Sequence, residues 1–234
     1  MSIPKSEPRT ARANNILLEL SEALLSGLFR LGAPHHLQEG EALFRGGDAG
    51  DGCYRIRSGL VKIVVASRQG EDRIISLQGP GAIVGELSMI DGLPRSASVV
   101  AITDCFLSFV SQDSFQKYSD ANPELMTSLA RILAGRIREA DDALAATTFL
   151  SVKARLARAL LNLAEYVGEE KGPGRIEFRH KISQSDLAAM AGVARENVSR
   201  AMSDWRKRDI VTRSLDYYCI NDQTALAQEM ESGR

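Results

Sequence analysis

From Asn15 to Leu31 the apolar residues Ile16, Leu17, Leu20, Leu24, Leu25 and Leu28 recur at three- and four-residue spacing, which predicts a short amphipathic helix. The period then changes. Between about residues 37 and 110, the runs YRI, LVKIVVA, RIISL, ASVVAI and CFLSFV are separated by RGGDAGDG, RSG, RQGED, GPGA and DGLP. Short strands between glycine-rich turns predict a β-sandwich or jelly-roll barrel. After Ser114 the helical period returns in NPELMTSLARILAGRIREADDALAATTFLSV, a long helix with Asn122 as N-cap, Pro123 at its first position and Glu124 in its first turn. Its Met126, Leu129, Leu133, Arg136, Ala140, Ala143, Thr147 and Leu150 alternate by three and four, a seam suited to a partner helix in a homodimer.

From Ser151 the chain reads as a helix VKARLARALLNLAEYVG, a polar loop EEKGPG at 169–174, a short stretch RIEFRHKI, two closely spaced helices and a hairpin-like VTRSLDYYCIND. In the segment SQSDLAAMAGVARENVSRAMSDWRKR, one helix starts near Ser185 and carries Leu187, Ala188 and Ala191 inward. Gly192 makes a tight turn, and a second helix starts near Arg195. That is helix-turn-helix spacing. On the second helix Val198, Ala201, Met202 and Trp205 face inward, leaving Arg195, Glu196, Ser199 and Arg200 outward at the end that enters a DNA major groove. Arginine pairs bidentately with guanine and glutamate accepts from cytosine N4, so Arg195, Glu196 and Arg200 are the candidate base readers. Arg206, Lys207, Arg208 and Arg213 are candidate phosphate contacts. The hairpin after them would be the wing of a winged helix.

Charge does not announce this role. The 234 residues carry a formal net charge of -1, so a nucleic-acid site has to come from a local cluster. The length suits two small domains. Cys53, Cys105 and Cys219 lack metal or disulfide spacing and suit a reducing cytosol. Residues 1–14 are polar and read as a flexible tail rather than a signal peptide, and no run is apolar enough to span a membrane, so a cytoplasmic location is expected. The boundaries this implies are a β-barrel domain over 15–121, a dimerisation helix over 122–150 and a DNA-binding domain over 151–234, an α+β architecture.

With GELSMIDGLPRSA in the β region, VARENVSR in the helix-turn-helix and a long helix between them, the chain resembles the Crp/Fnr family of bacterial transcription regulators. The likeness is to the cyclic-nucleotide-binding Crp branch and its rhizobial Crp-like members. The resemblance implies a double-stranded β-helix or jelly roll that binds cAMP and plausibly cGMP, a dimerising helix and a winged helix bound to double-stranded DNA. It also implies RNA polymerase as a partner, with 169–174 a candidate contact, and neither enzymatic activity nor a metal. The phosphate-binding cassette maps onto Gly85, Glu86, Arg95 and Ser96, with Ser76 and Arg136 as accessory positions. A fixed guanidinium, a hydroxyl and backbone N–H groups suit a cyclic phosphate, and a carboxylate suits a ribose 2′-hydroxyl. Arg136 would pair with Glu86 and link the ligand to the long helix.

Where the family's enteric cAMP receptor has a Thr-Ser pair facing the adenine, this chain has Ala140 and Asp141. Ala140 offers no such contact, and Asp141 could accept from adenine N6 or from guanine N1 and N2, which makes binding of both purines credible. In the DNA reader, Arg195, Glu196 and Arg200 match the family's R-E-x-x-x-R pattern and imply a GTG-like core in each half of a palindrome. Two alternatives stand beside this reading. A family regulator with a haem or iron-sulfur sensor would have to use His35, His36 and His180 or the scattered cysteines. A cupin-like metal enzyme would need converging His and carboxylate ligands, whereas adjacent His35 and His36 on a strand point to opposite sides.

Overall fold

The computed structural model describes residues 22–30, 32–66, 72–215 and 217–231. The expected tail over 1–14 and the first turns of the helix from Asn15 lie outside them. The described part of that helix is α1 (Glu22–Phe29), whose Leu25, Leu28 and Phe29 are buried. Eight strands follow: β1 (Ala33–Leu37), β2 (Ala42–Phe44), β3 (Gly52–Ser58), β4 (Val61–Ala66), β5 (Asp72–Gln78), β6 (Ile83–Val84), β7 (Ser98–Ala101) and β8 (Cys105–Ser111). A short helix α2 (Leu87–Asp91) lies between β6 and β7. Next come α3 (Gln112–Ala121), the long α4 (Glu124–Phe149) and α5 (Val152–Val167), then strands β9 (Gly168–Gly172) and β10 (Arg175–Phe178). The chain finishes with α6 (Gln184–Ala191), α7 (Arg195–Lys207), β11 (Val211–Ser214), β12 (Tyr217–Ile220) and α8 (Gln223–Glu231).

Two sheets form in the β region, with strand orders β1-β8-β3-β6 and β2-β7-β4-β5. The antiparallel register sets Leu37 against Cys105 and Tyr54 against Phe109. By packing, the described residues divide into one compact unit within 1–62 and 78–140 and another within 63–77 and 141–234. In the first, Leu25, Leu28 and Phe29 of α1, Phe115 of α3 and Leu125, Leu129 and Ile132 of α4 share one core with Cys53, Ile83, Met89 and Val110. Cys53, Ile83 and Val110 supply the floor from their strands, and Met89 of α2 and the other helices cover it.

The second unit is built on α5. Ser151 caps it by accepting from the Ala154 N–H at 3.2 Å, and Leu156, Leu160 and Leu163 on one face are fully buried. The sheet order here is β11-β12-β10-β9. The EEKG segment expected as loop is therefore strand β9, paired with β10 so that Ile176 meets Glu170. An edge strand can be polar, because one of its sides faces water, and that hides it from any search for apolar alternation.

Two further expectations need correction, and two helices were not expected. Asn122 does not cap the long helix with its side chain: its amide donates to the Tyr118 carbonyl at 2.9 Å and closes α3, a helix not expected from the sequence. α8 was also unforeseen. Leu129 and Arg136, placed on the partner-facing seam by the heptad pattern, turn inward, Leu129 into the core and Arg136 onto Glu86. The apolar residues left outward on α4 are Met126, Ile137, Leu144 and Phe149. A helix that must cover its own sheet as well as present a seam carries two stripes, and the sequence alone merges them.

Candidate functional site

Strand β6 is followed by Gly85, whose φ of 82° belongs to the left-handed region. A Cβ there would also lie 2.5 Å from Arg95 Nη1. Glycine is therefore needed twice over, for the turn and for the approach of a guanidinium. Arg95 is only 4 % exposed. Its Nη1 donates to the Gly85 carbonyl at 2.7 Å, and its Nη2 donates to the Gly52 carbonyl and to Asp51 Oδ1, each at 2.8 Å. The Phe44 ring lies 4.2 Å from the guanidinium carbon, a cation-π contact. Residues 45–51 clasp the backbone as well, with Arg95 N–H donating to Asp48 and Gly47 N–H donating to Arg95, both at 2.8 Å.

One donor is left over. Arg95 Nε is buried and has no hydrogen-bond partner in the chain. Buried guanidinium donors are costly to leave unpaired, so such a donor marks a place where an anion fits.

Glu86, the next residue after Gly85, is 2 % exposed and precedes α2. Its carboxylate makes no cap; it accepts instead from Arg136 Nη1 of α4, while Arg136 Nη2 donates to the Ile83 carbonyl at 2.5 Å. A buried carboxylate is thus neutralised by a guanidinium on the long helix, and its second oxygen remains a strong acceptor. Next to this pair, burial first and the Glu86 charge second push the Cys53 thiol up to about 12, against the smaller opposite pull of Arg95.

The structure therefore brings Gly85, Glu86, Arg95 and Arg136 together. Ser96 follows Arg95 and is exposed, and Ala140 and Asp141 are exposed on α4 just beyond Arg136. Ser76 is half-buried on β5, its hydroxyl 3.4 Å from the Leu77 carbonyl. Asp51 and Phe44 were missed as parts of the site. Asp51 sits in a glycine-rich run that reads as turn chemistry, and only the fold brings it to Arg95. His35 and His36 are both exposed on β1, and the described residues contain no cluster of three or more His, Cys, Asp or Glu able to hold a metal. Among the described residues no helix is long and apolar enough to cross a membrane.

The second surface is on α6 and α7. Ser183 caps α6 by accepting from the Asp186 N–H at 2.9 Å, and Gly192 ends it at φ 62°. Arg155 Nη1 of α5 donates to the Gly192 carbonyl at 3.0 Å, which fixes the turn against the scaffold. Val198, Ala201, Met202 and Trp205 are buried, so Arg195, Glu196, Ser199 and Arg200 project outward from the first turns of α7. Arg200 Nη2 rests on Asn197 Oδ1 at 2.9 Å, and the Ser199 hydroxyl donates to Gln184 Oε1 at 3.2 Å.

Arg206 and Lys207 are exposed in the last turn. Arg208 pairs with Glu229 of α8 at 2.5 Å and with Asp204 at 3.6 Å, so its charge is shared with two carboxylates in the free chain. Trp205 Nε1 donates to the other oxygen of Glu229 at 3.2 Å, so α8 locks the end of the reading helix.

Known proteins resemble both regions of the chain. Residues 34–122 match the family model described as cyclic nucleotide-binding domain, and residues 154–229 match the Crp-like helix-turn-helix domain. The chain is 32 % identical over 195 residues to the CRP-like cAMP-activated global transcriptional regulator of Mycobacterium tuberculosis, covering 83 % of this chain and 87 % of that protein. It is 35 % identical over 173 residues to the cyclic AMP receptor protein of Thermus thermophilus, covering 74 % and 76 %. A crystal structure of a CRP/FNR family transcriptional regulator from Thermus thermophilus superposes with a TM-score of 0.74 at 25 % identity, over 86 % of this chain and all of that one. With both domain models matched in order and relatives aligned along most of its length, this chain belongs to the Crp/Fnr family of transcription regulators, with a cyclic-nucleotide-binding domain and a Crp-like helix-turn-helix.

Proposed function

We propose that the chain is a cyclic-nucleotide-activated, sequence-specific DNA-binding regulator that acts as a homodimer on palindromic sites in the cytoplasm. The observation that carries the reading is the buried Arg95 guanidinium, held on three sides by protein acceptors with Nε left for an anion. A cyclic phosphate carries one negative charge and fits that donor together with the Ser96 hydroxyl and the turn at Gly85. Glu86, oriented by Arg136, takes the ribose 2′-hydroxyl, and Ser76 is an accessory contact. Ala140 offers the base no hydrogen bond, and Asp141 is the acceptor for adenine N6 or for guanine N1 and N2, so cGMP is a ligand beside cAMP in this reading. The names of the mycobacterial and Thermus relatives support cAMP.

The boundaries we favour are a barrel domain over 15–121, the helix over 122–150 and the DNA-binding domain over 151–234. The outward Ile137, Leu144 and Phe149 of α4 supply the apolar seam between two copies. Arg195, Glu196 and Arg200 read bases, with Ser199, Arg206, Lys207 and Arg213 at the backbone. Half-sites then lie roughly 34 Å apart. RNA polymerase is the proposed protein partner, with residues 169–174 the candidate contact.

Calorimetric titration with cAMP and with cGMP, each with and without operator DNA, tests the whole scheme. Nucleotide and DNA should tighten each other's binding by the same factor, a coupling commonly about 1 to 3 kcal/mol. Absence of binding by either nucleotide would overturn it.

A further inference from the structure

Trp205 is the chain's single tryptophan, and it sits wholly enclosed near the end of α7. An aliphatic side chain would fill such a place as well, whereas an indole adds an N–H that burial obliges to find an acceptor. The acceptor comes from α8 rather than from α7 itself: Glu229 Oε2 lies 3.2 Å from Trp205 Nε1. The other carboxylate oxygen takes Arg208 Nη1 at 2.5 Å, and the Glu229 side chain is only 15 % exposed. Arg208 follows Trp205 by three residues, so both donors stand on one face and a single carboxylate spans them.

The reading helix is thus tied at both ends. Arg155 of α5 holds the turn before it through the Gly192 carbonyl at 3.0 Å. Lys153 of the same helix holds Asp204 at 2.7 Å, one residue before Trp205. α8 is anchored in its turn. Asp222 accepts from the Ala225 N–H at 2.9 Å, the Gln223 N–H donates to the Gly174 carbonyl at 2.9 Å, and Leu226 is fully buried. Arg195, Glu196 and Arg200 are exposed between the two ties.

A side-chain tip about 6 Å from a helix axis moves about 1.5 Å when the helix turns by about 15°. Bidentate pairing with a base edge tolerates about 0.5 Å. A rotation too small to cost the domain much stability therefore removes a base contact. An enclosed indole with its one N–H aimed at a fixed carboxylate resists that rotation. We propose that Glu229 is a specificity-determining positioning residue of the DNA reader. Acting through Trp205 and Arg208 rather than on DNA, it fixes the rotation of α7 at which Arg195, Glu196 and Arg200 meet base edges. This proposal rests on the reading of α6 and α7 as a DNA-binding element.

The test uses the full chain with saturating cAMP and a palindrome selected by the wild-type protein from random sequences. Competition binding compares that palindrome with duplexes changed at one base pair in each half-site and with non-specific DNA, and urea midpoints are measured alongside. Glu229→Ala should lose about fivefold in discrimination while its non-specific affinity stays within about twofold of the wild type. Glu229→Gln keeps an acceptor for the indole but not the charge opposite Arg208, so it should lose less, about twofold. Ile176→Val, a substitution in the β10 core that leaves the clamp intact, should lower the midpoint and keep full discrimination. A Glu229→Ala protein that is less stable yet discriminates as the wild type does would make the clamp a fold contact only and overturn the proposal. An equal loss of discrimination in Ile176→Val would do the same. Should Glu229→Ala fail to fold, Glu229→Gln decides by the same criterion, and unchanged discrimination overturns the proposal. Arg200→Ala measured in parallel separates the two levels. If it loses discrimination while the Glu229 variants keep theirs, only the positioning role fails; if it keeps full discrimination, the DNA reading fails and takes the clamp with it.

Discussion

Replacing Arg95 by lysine keeps the charge and removes the fork. The guanidinium satisfies two carbonyls and one carboxylate through Nη1 and Nη2 and still has Nε to offer. A lysine ammonium is a single donor centre and cannot hold the Gly85 and Gly52 carbonyls while also meeting a phosphate. The hydrogen bond lost from the anion is worth about 2 kcal/mol, or about thirtyfold in affinity. Leaving one carbonyl without its donor costs about 1 to 2 kcal/mol of stability besides. Calorimetry with cAMP reads the first quantity and a urea midpoint the second. Thermal midpoints add a check, because a ligand that binds only the native state raises the midpoint of the wild type and should barely move that of Arg95→Lys. If the variant keeps cAMP affinity within twofold while losing stability, Arg95 is a structural clamp and the assignment of the pocket falls.

Arg136→Ala strips the partner from a carboxylate that is 2 % exposed, and because the arginine itself is partly solvated the expected loss is about 2 kcal/mol, measured by urea denaturation; an unchanged midpoint would show that Glu86 has found another partner. Arg200→Ala should relax preference at one base pair by about 1 to 3 kcal/mol when half-site variants are compared by competition binding, and full discrimination would remove it from the readers. Alkaline pH should weaken the fold. The Cys53 thiol is held up to about 12 from 9.0, so the folded chain keeps a proton that the unfolded chain releases; the stabilisation is complete below about pH 9 and is lost as pH climbs toward 12. Tyr54 and Tyr218, also raised by burial, steepen the decline above 10. Cys53→Ala should start less stable and fall less steeply, and a wild-type profile flat to pH 11 would refute the shift.

The helix-turn-helix was legible because each of its signals is local: Ser183 at the cap, Gly192 at the turn and the inward spacing of Val198, Ala201, Met202 and Trp205. Five strands of the β region, β3, β4, β5, β7 and β8, were legible for the same reason, while β1, β2 and β6 fall outside the apolar runs. α3 was not, since QDSFQKYSDA is mostly polar and sets only Phe115 and the partly buried Tyr118 against the core. α8 likewise buries only Leu226, and its purpose shows only when Glu229 is seen on Trp205 and Arg208. Asp51 meets Arg95 across a sequence separation of 44 residues, and no local period carries that information. The split of α4 into a core stripe and an outward stripe is legible only once its sheet is in place.

Cys53 lies on β3 next to Gly52, the residue whose carbonyl holds Arg95, and its side chain is wholly enclosed. With its acidity so suppressed, almost none of the thiol is ionised at pH 7, and alkylating reagents reach it only when the strand parts from its neighbours. The rate of its modification is therefore a stopwatch for opening of the pocket wall. Run with increasing cyclic nucleotide, that stopwatch should slow in step with occupancy, reporting breathing of the barrel with no label added and no residue changed.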